Sequence, residues 1–515
     1  MTTPFKNEPL IDFQNPANKK RMEAAIAKLE SEFGHEYPII IGNEKITTAQ
    51  KISSVNPSNK NEIVGIVQKG TDQLANKAVD VALKTFETWK YTRASERADY
   101  LFKIAKLMRD KKFELSATMV LEIGKSWVEA DADVAEAIDF SEFYAREAIR
   151  YAEEQPVVQW PGEKNELMYL PLGVGAVIPP WNFPLAILTG MTTAAVVAGN
   201  TVVLKPASDT PIIASKFMDI VMEAHVPAGV INFVTGSGAD VGETLVTHPK
   251  IRFITFTGSK EVGLHIAEEA GKTRPGQMWI KRITVEMGGK DAIIVDEEAD
   301  LDSAVEGVAV SAFGFQGQKC SACSRAIVSE KIYDKFLEKL AARVKKITVG
   351  PTKNQSNYMG PVSSKSAFEK IMGYIETGKK EGRLIFGGEA IAGDGFFIQP
   401  TIIADVSPTA KIAQEEIFGP VLSVIKARDF DDALKIANGT QYGLTGGVYT
   451  KNTQKIEKAI REFFVGNLYF NRKCTGALVG VQPFGGFNMS GTDSKAGGRD
   501  YLHLFLQAKS ICQRL

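Results

Sequence analysis

Apolar positions recur at spacings of three and four along the chain between about residues 74 and 153. Over 76–90, Ala78, Val81, Ala82, Phe86 and Trp89 fall on one face, which predicts an amphipathic helix. Further helices are predicted over 95–109 and 131–153. At Trp160, Pro161 and Gly162 the period changes, and 166–178 reads as strands broken by turns. Short β-rich runs then alternate with helical ones. Strands are predicted over 201–205, 230–234 and 251–256, and helices over 211–225, 241–246 and 260–270. Strand, helix, strand at a spacing of roughly 25 residues is the pattern of a parallel doubly wound sheet, which binds nucleotides at the carboxyl ends of its strands. A second α/β region is expected over 287–470, with buried strands at 292–295 and 326–328, and the tail over 501–511 reads as extended and apolar.

Composition narrows the function classes. The chain has 515 residues, long enough for two or three domains. Lys plus Arg and Asp plus Glu are both 61, so no basic excess points to nucleic acid. No run approaches the ~18 apolar residues of a bilayer span. The first twenty or so positions carry neither an apolar targeting core nor an Arg-rich stretch, so the cytoplasm is expected. The four cysteines, at 320, 323, 474 and 512, form no disulfide framework, and a single Cys-x-x-Cys pair does not complete a zinc site. The five histidines lack ligand spacing, so no metal is expected.

Candidate chemistry is concentrated at a few points. Neither Gly236–Gly242 nor Gly258–Gly263 fits the usual dinucleotide fingerprint. Gly258 and Ser259 nevertheless stand between a strand and a helix start, where free N–H groups and the helix dipole favour a phosphate; a plain tight turn is the alternative. Cys320 follows Lys319, whose charge would favour a thiolate nucleophile, against the alternative of a buried, inert thiol. Glu286 closes an apolar strand before Met287, Gly288, Gly289 and Lys290, a place for a general base or for an ordinary paired carboxylate. Asn182, fixed between Pro180 and Pro184, offers a side-chain amide to an oxyanion or merely serves a turn.

Taken together, the chain resembles the aldehyde dehydrogenase superfamily. The likeness rests on residues 180–184, Phe256 to Ser259, Val285 to Lys290, Gly317 to Cys320 and Glu415 to Pro420, in that family's order and over about residues 40–510. The resemblance implies an α/β fold with a Rossmann-type parallel-sheet cofactor domain (1–153 and 171–286), an α/β catalytic domain (287–480) and a small β oligomerisation element (154–170 and 481–515). In that element a hairpin over 154–170 would pair with the C-terminal strand, giving at least a homodimer. The implied chemistry is oxidation of a small-molecule aldehyde through a cysteine thiohemiacetal and thioester. Cys320 would be the nucleophile, Asn182 the oxyanion donor and Glu286 the base.

The resemblance further places Lys205 and Glu416 at the cofactor ribose, Phe418 near the nicotinamide, and Gly258 and Ser259 at the pyrophosphate. Many NAD-selective members carry Glu where this chain has Ser208, which implies NAD as the main cofactor with NADP also accepted. Residues 317–325 and 475–486, with a long helical N-terminal extension, are most like the bacterial, monofunctional branch that oxidises L-glutamate γ-semialdehyde in proline degradation. In that branch Ser321, Gly476 and Ala477 would hold the substrate carboxylate, and Phe183 and Phe484 its aliphatic stem. A succinic-semialdehyde oxidiser is the alternative.

Overall fold

A computed structural model describes residues 3–515. Two seven-stranded sheets organise the chain. In the first, the strands run in the order Arg282–Glu286, Phe253–Thr257, Val174–Ile178, Thr201–Leu204, Ile231–Phe233, Ile39–Ile41 and Glu44–Ile46. Its first five strands are mutually parallel, as the alternating pattern predicts. The last two are antiparallel additions from the N-terminal region. Strands such as Thr201–Leu204 are buried at every position, which explains why they read as continuous apolar runs rather than alternating ones.

The second sheet is built from Arg383–Phe386, Thr401–Ala404, Val421–Ala427, Arg325–Ser329, Ala292–Val295, Thr445–Tyr449 and Asn467–Phe470. It is parallel except for its edge strand Arg383–Phe386. A smaller three-stranded sheet joins Glu36–Tyr37, Ile63–Gln68 and Lys51–Val55. Helices cover these sheets, among them Asp72–Trp89, Ala94–Asp110 and Trp127–Ala152, close to the predicted spans. Close packing is visible at Gly175, where a Cβ would lie 2.0 Å from the Phe253 ring on the neighbouring strand.

Three expectations are corrected. The N-terminal extension holds one helix, Pro16–Ser31, capped by the Asn15 side chain, followed by strands rather than more helix. The stretch 154–170 does not form a hairpin. Its strand, Glu163–Pro171, pairs antiparallel with Leu506–Arg514 over nine residues on each side. The segment before it carries Pro156 and Pro161, which remove ladder donors. The extended tail begins later than the pattern suggests, because Tyr501–Phe505 is a 3₁₀ turn whose Tyr501, Leu502 and Phe505 are buried against the first sheet's helices.

Candidate active site

The carboxyl ends of the first sheet's strands open onto a cleft with a cavity of about 830 Å³. Lys205 follows the strand Thr201–Leu204 directly and lines the cleft, and burial pushes its amine down to about 8. Ser259 caps the helix Lys260–Gly271, its hydroxyl accepting from the Val262 N–H at 3.4 Å. Gly258 beside it leaves no space for a side chain, since a Cβ would meet the Phe256 ring at 2.5 Å. From the second sheet's side, the Glu416 carboxylate accepts from the Gly289 N–H at 3.0 Å. Phe418, held at φ 62°, packs edge-on against Trp181 at 5.4 Å. A helix start rich in free N–H groups, a buried amine and a buried carboxylate suit a pyrophosphate and two ribose diols. Ser208 does not join them: the loop turns it to solvent, and its neighbours Ala207 and Asp209 line the cleft. A carboxylate does line the cleft one residue later, at Asp209.

A second, smaller cavity of about 110 Å³ meets the first at Cys320, which lines both. The cysteine loop leaves the helix Leu301–Phe313 through Phe315 (φ 48°) and Gln316 (φ 57°), two non-glycine residues in the left-handed region. Such conformations cost about 1–3 kcal/mol each and need a surrounding that fixes them. Here the Gln316 amide donates to the Gly124 and Pro361 carbonyls at 3.0 and 2.8 Å, and Gln318 Oε1 accepts from the Ser363 N–H at 2.9 Å. Asn182 Nδ2 donates to the Gln318 carbonyl at 3.1 Å, which brings the amide beside the cysteine loop with its second proton uncommitted.

Lysine activation of the thiol is not what the structure shows. Lys319 Nζ pairs with Glu129 at 2.7 Å. Burial, with the carboxyls of Asp291, Glu416 and Glu286 nearby, holds the Cys320 thiol well above the ordinary range. The thiol of Cys323, the other half of the Cys-x-x-Cys pair, is buried in the second sheet's core.

Glu286 ends its strand as expected and lines the small cavity with Cys320. Its carboxylate accepts from the Gly486 N–H at 3.0 Å, the Ser494 N–H at 3.2 Å and the Ser494 hydroxyl at 2.7 Å. These donors stabilise the charge, yet burial outweighs them and pushes the pKa up to about 7. Phe183, Ser321, Gly476, Ala477 and Phe484 line the same cavity, as the sequence implied. Among the described residues, neither the Gly476 nor the Ala477 N–H has an acceptor within the chain, and Gly476 sits at φ 76°, in the left-handed region that favours glycine.

Sequence reasoning missed Glu136, Tyr144 and Tyr501, which also line this cavity. Burial, reinforced by Asp133, pushes the Glu136 carboxyl up to about 8. The available signal was the series Asp133, Glu136, Asp139, acids spaced along a helix otherwise buried in apolar side chains. It also missed Lys125, whose buried ammonium pairs with Asp133 at 2.8 Å and lies 4.1 Å from the centre of the Phe183 ring. Among the described residues, no cluster of three or more His, Cys, Asp or Glu could hold a metal, and no helix is long and apolar enough to cross a membrane.

Two α/β sheets flanking a nucleotide-shaped cleft, with a cysteine where it meets a small cavity, define a class of enzyme. Residues 45–511 match the model of the aldehyde dehydrogenase family, and the chain belongs to that family. It is an NAD-dependent aldehyde dehydrogenase. Over 513 residues, and the whole of both chains, it is 58% identical to a 1-pyrroline-5-carboxylate dehydrogenase of a Geobacillus species. The solved structure of 1-pyrroline-5-carboxylate dehydrogenase from Thermus with bound NAD superposes with a TM-score of 0.99 at 54% identity, each chain covered in full. A betaine aldehyde dehydrogenase from Staphylococcus aureus in complex with NAD+ gives a TM-score of 0.90 at 29% identity, covering 96% of this chain and 97% of that one.

Proposed function

We propose that the chain oxidises L-glutamate γ-semialdehyde, the open form of Δ1-pyrroline-5-carboxylate, to L-glutamate in proline degradation. The observation that carries this reading is the small cavity itself. Its walls bring together Cys320 and Glu286, the polar groups of Ser321, Gly476 and Ala477, and the rings of Phe183 and Phe484. An aldehyde, a carboxylate and an aliphatic stem match those three kinds of group. The substrate α-ammonium would lie toward Glu136, whose carboxyl ionises more readily beside a cation. Succinic semialdehyde would leave Glu136 without its partner.

The Cys320 thiol gives its proton to the Glu286 carboxylate, which passes it to solvent; the sulfur adds to the aldehyde carbon, and the carbonyl electron pair moves onto oxygen. The Asn182 amide and the Cys320 N–H hold that oxyanion. NAD, where bound, would supply the hydride acceptor. Loss of hydride leaves an acyl thioester on Cys320. Glu286 takes a proton from water, which attacks the acyl carbon; the C–S bond breaks and the thiolate is restored. Lys205, Glu416, Gly258, Ser259 and Phe418 are the residues we assign to the cofactor, with residues 1–153 and 171–286 forming its domain and 287–480 the catalytic one. NADP is accepted more weakly than NAD, because Asp209 faces the cleft beside Lys205 and opposes a second phosphate.

The ribbon of Glu163–Pro171 and Leu506–Arg514 supports assembly into a dimer or larger homo-oligomer. A two-stranded ribbon is marginal alone, and this one carries exposed Met168 with Trp160 and Leu515 at its ends. The cytoplasm suits a chain whose four cysteines are all unpaired. The reading is tested by alkylation of Cys320 with iodoacetamide. L-Glutamate, the product, is expected to slow alkylation more than succinate does; equal protection would contradict the carboxylate-and-ammonium site.

A further inference from the structure

The chain's first described residues form an extended strap laid across the helix Trp127–Ala152. Its backbone is tied down repeatedly. The Ile11 N–H donates to Asp131 at 2.7 Å, the Glu8 N–H to Asp139 at 2.7 Å, and the Lys112 ammonium to the Pro9 carbonyl at 2.7 Å. Glu8 pairs with Arg109 at 2.7 Å, and Arg146 donates to the Thr3 carbonyl at 2.9 Å. The contacts to Asp131, Asp139 and Arg146 fix the strap to the helix that carries Glu136, Phe140 and Tyr144 into the small cavity, and those to Arg109 and Lys112 tie it to the two helices before it.

One residue reaches further. Asn7 Nδ2 donates to Asp139 Oδ2 at 2.8 Å and to the Val479 carbonyl at 3.0 Å. Its amide therefore joins the helix to the loop that carries Gly476 and Ala477. Phe5 supports the same loop from outside: its ring meets Phe143 edge-on at 5.2 Å and would lie 3.3 Å from a Cβ placed on Gly480. On the other flank, Arg472 donates to the Thr475 and Gly476 carbonyls at 3.1 and 3.2 Å, and the Gly480 N–H donates to the Gly497 carbonyl at 2.9 Å. The loop is exposed at Leu478 but anchored by the buried Val479, whose carbonyl is the one that Asn7 holds.

We propose that Asn7, with Phe5, is a positioning element for substrate choice: the strap sets the distance between Cys320 and the Gly476–Ala477 N–H pair. This rests on the reading that the N–H pair binds the substrate carboxylate. The effect is confined to substrates that carry that group. A short aldehyde without a carboxylate uses Cys320, Asn182 and Glu286, none of which touches the strap.

The test is steady-state kinetics of the full chain and of Asn7→Ala, with Δ1-pyrroline-5-carboxylate and with propionaldehyde, NAD saturating. Losing one hydrogen bond at the loop is expected to raise KM for the pyrroline compound about fivefold. Its kcat is expected to stay within about twofold, and KM for propionaldehyde to be unchanged. Equal changes for both substrates, or none for either, would overturn the proposal while leaving the substrate reading intact. A wild-type chain that does not prefer the pyrroline compound would overturn both. If Asn7→Ala does not fold, judged by thermal unfolding and NAD binding, Phe5→Leu carries the same expectation in the same assay.

Discussion

At Glu286 two opposing effects meet on one carboxyl. Three hydrogen-bond donors favour the charged form, burial disfavours it, and burial prevails, leaving the group half-ionised near neutrality. A general base works only when deprotonated, so kcat is expected to rise with pH through about 7. Glu286→Gln is expected to lower kcat by about 10²–10⁴-fold and to remove that rising limb; a retained limb would place the titration elsewhere. Cys323→Ser is expected to keep activity within about twofold, since a buried thiol outside both cavities has no part in turnover; abolished turnover would give Cys323 a share in the chemistry. Cys320, Glu286 and Asn182 were picked out through the family resemblance, because the local run around each admitted an inert thiol, a paired carboxylate or a turn residue just as well. The Lys319 pairing was not, because Glu129 lies 190 residues away in sequence and nothing local marks it. Glu136 was hidden for a similar reason: a carboxyl in a helix reads as a solvated face until the fold shows which of its neighbours enclose a cavity.

The elements explain where specificity lies. The loop after the strand Thr201–Leu204 places Lys205 and Asp209 in the cofactor cleft and Ser208 outside it. Asp209→Asn is therefore expected to raise the ratio of NADP to NAD activity, whereas Ser208→Glu is expected to change it little. The reverse ranking in a comparison of kcat/KM for the two cofactors would return the determinant to position 208. Between strands, Gly175→Ala is expected to destabilise by about 1–3 kcal/mol through overpacking against Phe253, read as a lower unfolding midpoint with unchanged KM. Periodicity and β-rich runs made the parallel strands and most helices legible. The false hairpin over 154–170 shows the limit of that reading: the resemblance supplied the right partner, the C-terminal strand, but local pattern overcounted the strands, since Pro156 and Pro161 leave only Glu163–Pro171 to pair.

Across the whole molecule, chemistry is assembled between two sheets. Glu286, Lys205 and Asn182 come from the first sheet and its loops, while Cys320 and Glu416 come from the second. On the proposed reading the ribbon of Glu163–Pro171 and Leu506–Arg514 serves assembly rather than catalysis. Deleting residues 508–515 is expected to lower the oligomeric state in light scattering; an unchanged mass would move the interface elsewhere. The most direct measurement is NADH formation from Δ1-pyrroline-5-carboxylate, beside succinic semialdehyde and propionaldehyde, in the wild-type chain and in Cys320→Ala. A strong preference in kcat/KM for the pyrroline compound, lost entirely in Cys320→Ala, is the expected result. Turnover of either other aldehyde as good as that of the pyrroline compound, or NADH formation surviving in Cys320→Ala, would contradict the account.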